Sequence, residues 1–516
     1  MGFLFLSFTI SAQEFPVDSL SLIDLNEVIV ISPKTRLDHQ KQRKPLSGLD
    51  QFLESSRQLQ MVKRGAYAWE PGMNGMTSER LTVTIDGMQI FGACTDKMDP
   101  ITSYVDVSNL SEVEIGSGQQ GAAFGNSLGG AVNLALKKDN FGKKGWSGNL
   151  ETSFESNNRL RVAKGALKYA DEKFYFFSDA LFRKAEDYKA GGNEAVAFSQ
   201  FEKYNFSIRS GYRPAEGKMI STAIIFDKAV DVGYPALPMD VSLAQAGIFS
   251  LSYEQEEWGS LENWESKIYL NTIRHEMDDS QRPDVPIRMD MPGKSDTYGF
   301  YSQARHGNEN HRWFFKWDGF YNKSLAEMTM YPSDISEPSM FMLTWPDVRT
   351  LNSGIYLEDK MILDKAFLKF SGRLGFHRNG IEDEFGRNSL EIFYPDLEKS
   401  KIRILKSLSV QYHNMWQDLH LEGGLSYGER APSVSEGYGF YLFNSFDKYD
   451  YIGNVYLKTE AALEGNLSIS LKKKNLKVGG EVNYFYVMNY IIGKTASSLS
   501  PMTIGAEGVK IYQNID

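Results

Sequence analysis

The stretch Ala366-Phe367-Leu368-Lys369-Phe370-Ser371-Gly372-Arg373-Leu374-Gly375-Phe376-His377 decides the fold. Ala366, Leu368, Phe370, Gly372, Leu374 and Phe376 occupy one parity, and Phe367, Lys369, Ser371, Arg373, Gly375 and His377 the other. Side chains alternate across a β-strand, so this pattern presents an apolar face and a largely polar one, as a strand between lipid and a wet interior requires. Arg312–Tyr321 repeats it, with Trp313, Phe315, Trp317 and Tyr321 opposed to Lys316 and Asp318. Strand-like runs recur through Lys173–Arg183, Ser266–Ile273, Leu408–Asn414 and Gly480–Tyr490, separated by polar, Gly-rich or Pro-containing loops. A soluble β-sandwich shares the alternation, but the number of long strands favours an antiparallel membrane β-barrel.

Composition agrees with that reading. Aromatic residues make up 13% of the 516 residues, and no apolar run approaches the ~18 residues that a membrane helix needs. A formal net charge of −10 with no basic block argues against a nucleic-acid partner. The opening Met1–Gln13 has a short apolar core followed by small residues, like the later part of a secretory signal peptide, with cleavage plausible after Ala12. We therefore expect a signal remnant over 1–12, a linker over 13–43, a small globular domain over 44–140 and the barrel over 141–516. About 375 residues at about 20–24 per strand and loop allow roughly 16–18 strands.

The small domain has its own texture. Leu81–Ile90 reads as two strand pieces around an Asp86-Gly87 turn. Gly116-Ser117-Gly118-Gln119-Gln120-Gly121 formally matches a dinucleotide fingerprint, but the fingerprint needs a helix to follow and here glycines and another strand do. A nucleotide site is rejected on that ground.

Cys94, the only cysteine, lies in Gly92-Ala93-Cys94-Thr95-Asp96-Lys97-Met98-Asp99-Pro100. Residues four apart on a helical turn share a face with Cβ atoms about 5–6 Å apart, so a thiol and the Met98 thioether can grip one ion. His275 and Met277 share the lumenal parity of a strand that also carries Lys267 and Asn271, although Tyr269 and Ile273 blur that face. Thiolate, two thioethers and an imidazole form a soft set that favours Cu(I), with Cu(II) possible. Taken singly, a lone cysteine is most often a small buried hydrophobe and a His-x-Met pair mere surface.

The chain resembles the TonB-dependent outer-membrane receptors of Gram-negative bacteria. Val113–Leu134, with its Gly129-Gly130-Ala131-Val132-Asn133 strand, is similar to the signature of their globular plug. Leu25-Asn26-Glu27-Val28-Ile29-Val30-Ile31 is similar to the TonB box, while Leu425–Ser433, Gly453-Asn454 and Leu457–Glu460 resemble barrel motifs. The resemblance implies a plug inside a 22-stranded barrel embedded in outer-membrane lipid, with transport powered by TonB and its inner-membrane complex. Set against it, the chain ends Gly508–Asp516 as if entering a strand, which reads as truncation before closure.

The segment Gly92–Tyr104 is similar, within this family, to the plug loop of the copper receptors, whose Cys-x-x-x-Met pair joins a barrel His-x-Met pair; Thr95-Asp96-Lys97 departs from their usual Pro-Asn-Arg. That implies copper import through Cys94, Met98, His275 and Met277; Met289 and Met291, two residues apart, are candidates for an accessory metal track. A receptor for a chelated ligand, a siderophore or cobalamin, is the alternative. An outer-membrane enzyme is a remote one, for no nucleophile and base stand at a telling spacing and no organic cofactor is implied.

Overall fold

Period-two sequence becomes wall in the computed structural model, which describes residues 48–516 apart from positions 66, 68, 139, 284, 286, 335, 417, 445, 474, 475 and 504. The segments expected as signal remnant, linker and TonB box (Leu25–Ile31) lie outside the described residues. Fifteen antiparallel strands form one continuous sheet running from Gly145–Glu155 to Leu476–Met488. Leu374 is 58% exposed and its neighbour Arg373 4%, so the apolar parity faces outward and the polar parity inward. Phe315, Trp317 and Phe370 are likewise exposed, while Lys316 and Lys267 are buried. No helix among the described residues is long and apolar enough to cross a membrane.

The strands begin and end asymmetrically. At one end of the wall short turns such as Gly259-Ser260 or Asn308–Asn310 join strand to strand; at the other, longer segments such as Glu382–Lys399 intervene. Short turns on the periplasmic side and longer external loops are usual for outer-membrane barrels. His275 and Met277 sit near the long-loop end of the Leu261–Asp278 strand.

One correction concerns the far end of the chain. Among the described residues the wall has fifteen strands, not 16–18, because the residues between Arg430 and Glu460 and those after Met488 do not extend it. They build a separate four-stranded sheet from Leu442–Asn444, Tyr449–Ile452, Gly508–Ile515 and Tyr490–Thr495, in that order. Gly508–Ile515 is indeed a strand, but it pairs in parallel with Tyr449–Ile452 rather than with the wall. Among the described residues, Gly145–Glu155 and Leu476–Met488 are not paired with each other.

Inside, Met88–Gln89, Leu81–Ile85, Gly130–Leu136 and Leu110–Ser117 form the plug sheet in that order. Asp86 and Gly87 both take positive φ (52° and 75°), the left-handed pair that a tight hairpin turn needs. Asn133 secures it: its Oδ1 accepts from Thr84 Oγ1 and Gly87 N, and its Nδ2 donates to Glu114. The Gly116–Gly121 run serves packing, not phosphate. A Cβ on Gly121 would lie 2.5 Å from Ala131 N, which only a bare backbone avoids.

The plug core of Phe52, Ile85, Ile90, Leu110, Val132 and Leu134 continues without a break into Ile225, Ile248, Tyr269 and Ile273 of the wall. Tyr269 and Ile273 therefore face the lumen, where plug rather than water meets them.

Candidate metal centre

The Cys94 loop is a hydrogen-bonded turn and not a helical one. Lys97 N donates to Cys94 O at 3.3 Å, and Lys97 itself takes φ +56°, which stops helical propagation. The turn folds Met98 back so that its N–H points to Cys94 Sγ at 3.4 Å. Tyr234 OH donates to Met98 O at 2.5 Å, tying the loop to the wall.

Cys94, Met98, His275 and Met277 are all buried, and the two methionines belong to the same apolar cluster as Cys94. Strand parity sends His275 and Met277 inward together, one on each side of Glu276, which points out. In register, His275 stands beside Gly293, and Met277 beside Met291. One ligating atom from each of Cys94, Asp99 and His275 lies within 4.8 Å of the other two. Asp99 Oδ1 is 3.2 Å from His275 Nδ1. Neither His275 nitrogen nor Asp99 Oδ1 makes a hydrogen bond, so an imidazole and a carboxylate oxygen converge on a thiol whose only donor is the Met98 N–H.

Asp99 is the site residue that spacing alone does not single out. Its signal was its place, one residue past Met98 in the only cysteine loop. Tyr104 OH donates to Asp99 Oδ2 at 2.9 Å and to Asp99 O at 3.1 Å. Burial, reinforced by the Asp99 charge, holds the Tyr104 phenol well above its ordinary pKa and hence in its donor form.

The surrounding charges are mostly matched. Lys97 pairs with Glu79 at 2.5 Å and Arg64 with Glu70 at 2.7 Å. Asp96 has no such partner among the described residues, and burial pushes its carboxyl up to about 6 despite the nearby His275, Arg64 and Lys97. Met289 and Met291 are buried in the Cys94 cluster, where Met328, Met330 and Met342 join them. Register shows why they gather: Met289 stands opposite Met330 and Met328 opposite Met342 on successive strands. A cavity of about 410 Å³ opens beside Met289, Met291, Met328 and Asp96.

Residues 34–132 match the family described as TonB-dependent Receptor Plug Domain. With the fifteen-stranded wall around that plug, the chain has the architecture of a TonB-dependent outer-membrane receptor. Among solved structures, the copper transporter OprC is similar with TM-score 0.77 at 19% identity, over 92% of this chain and 72% of that one. The haemophore receptor HasR of Serratia marcescens is similar with TM-score 0.72 at 16% identity, over 94% and 77%. The FrpB iron transporter of Neisseria meningitidis follows with 0.66 at 12%, over 92% and 73%. Likeness at these identities speaks for the fold of the receptor and not for its cargo. No curated protein matches the sequence.

Proposed function

We propose that this receptor imports copper, captured between plug and barrel by Cys94, Met98, His275 and Met277. The observation that carries the reading is the convergence of the Cys94, His275 and Asp99 donor atoms within 4.8 Å, two of them from the plug and one from the wall. Thiolate, imidazole and thioethers suit copper better than ferric iron, which prefers oxygen. Because the ligands come from both bodies, movement of the plug separates them and frees the ion. TonB pulling on the Leu25–Ile31 segment supplies that movement, and no covalent chemistry is required.

The test is a count of bound copper on the purified receptor under reducing conditions, for the native protein, Cys94→Ala and His275→Ala. The native protein is expected to hold one more copper per chain than either variant. Equal counts would remove the ion site and leave a chelated ligand, siderophore or cobalamin, as the cargo.

A further inference from the structure

We infer that Asp99 is a direct ligand of the cargo ion, and that its carboxylate equips the site to take divalent copper as well as Cu(I). The inference rests on the copper reading above and deepens it, for it names the residue that admits the second oxidation state.

Geometry comes first. Asp99 is only 3% exposed, and its two oxygens are used differently. Oδ2 is occupied by the Tyr104 hydroxyl, which fixes the carboxylate plane. Oδ1 accepts no hydrogen bond, although it lies 3.2 Å from His275 Nδ1 and within 4.8 Å of Cys94 Sγ. A buried carboxylate oxygen without a donor is costly, and a cation seated between it, the thiol and the imidazole removes that cost.

Charge points the same way. A cysteine thiolate and the Asp99 carboxylate together carry two negative charges. Lys97 and Arg64 are committed elsewhere, to Glu79 and Glu70, so the group left facing the pair is His275, which gives up any proton on the nitrogen that ligates an ion. A divalent ion neutralises the pair, whereas a monovalent ion leaves one buried negative charge over. Ligand type divides along the same line. Carboxylate oxygen suits the harder divalent ion, and thioether sulfur the softer monovalent one. Cys94 and His275 then form a common base, with Asp99 as an oxygen arm and Met98 and Met277 as a sulfur arm.

The experiment uses Asp99→Asn, which keeps the shape and the acceptor for Tyr104 but removes the charge. The purified receptor, Asp99→Asn and Cys94→Ala are each titrated with Cu(II) and with Co(II), and separately with Ag(I) as a redox-inert stand-in for Cu(I). Asp99→Asn is expected to weaken both divalent ions by at least about tenfold and to leave Ag(I) within about threefold. The thiolate-to-Cu(II) charge-transfer band should weaken with it. Equal weakening of all three ions makes Asp99 a structural residue and overturns the inference; unchanged divalent affinity overturns it as well. Failure of the copper reading looks different, since Cys94→Ala would then bind every ion as the native receptor does.

Discussion

Gly293 shows how closely the wall reads the plug. It stands beside His275 in register, and a Cβ there would sit 1.9 Å from the carbonyl oxygen of Ala93, the residue before Cys94. Backbone cannot rotate away as a side-chain tip can, so Gly293→Ala must push the Cys94 loop off the wall. Overpacking of this kind costs about 1–3 kcal/mol. We expect Gly293→Ala to weaken copper binding by about tenfold or more while the barrel still assembles, checked by metal titration beside a heat-modifiability assay on gels. The four residues proposed as soft ligands stand out in the sequence because their spacing is geometric: strand parity brings His275 and Met277 to one face, and a short loop brings Met98 back to Cys94. Asp99 was not, since the chain holds 66 acidic residues and no spacing rule marks one of them. Its role depends on Tyr104 taking one oxygen and leaving the other bare.

Among elements, the 3-10 turn Ser78–Arg80 links the metal loop to the rest of the plug. Burial alone would raise the Glu79 carboxyl, but Lys97 at 2.5 Å, with help from the Glu79 backbone and Arg430, holds it down to about 2. A depressed carboxyl stabilises the fold above its ordinary value near 4.5 and loses that contribution as pH falls toward 2. The thermal midpoint of the receptor should therefore fall over that acid window, and Glu79→Gln should be less stable at neutral pH and flatter below pH 4.5. A parallel acid loss in the variant would remove Glu79 from the account. Elements also mark where sequence reading worked. Wall strands were legible because lipid imposes a strict parity on them, as at Leu374 and Arg373. Tyr269 and Ile273 blurred that parity because the lumen beside them is filled by Ile85 and Ile90 of the plug, a neighbour almost 200 residues away that local pattern does not reveal. Gly508–Ile515 was legible as a strand, but its partner Tyr449–Ile452 was hidden for the same reason: the pairing is parallel and long-range.

Across the whole molecule, plug and wall are joined by a buried chain of charges that begins on that same turn. Arg80 reaches Glu460 of the wall with Nη2 at 2.7 Å, and Arg430 donates to Glu460 while gripping Glu436 with both terminal nitrogens. Glu460 is fully buried and also accepts from Ile491 N. Its loss leaves Arg80 without its carboxylate in a dry place, and breaking one partner of a buried pair costs about 3–5 kcal/mol. Because Glu79 holds the Lys97 of the Cys94 loop and Arg80, the next residue, holds the wall, one short turn ties the proposed ion site to the docking of the plug. Glu460→Ala is thus expected to act at a distance from every proposed ligand. Hydrogen exchange in peptides covering Leu81–Leu136 should speed up while wall strands such as Phe201–Tyr212 keep their protection, and bound copper should dissociate faster although Cys94, Met98, Asp99, His275 and Met277 are untouched. Faster exchange with unchanged copper dissociation would mean that the plug loosens without opening its metal loop, and would break the proposed link between plug movement and release.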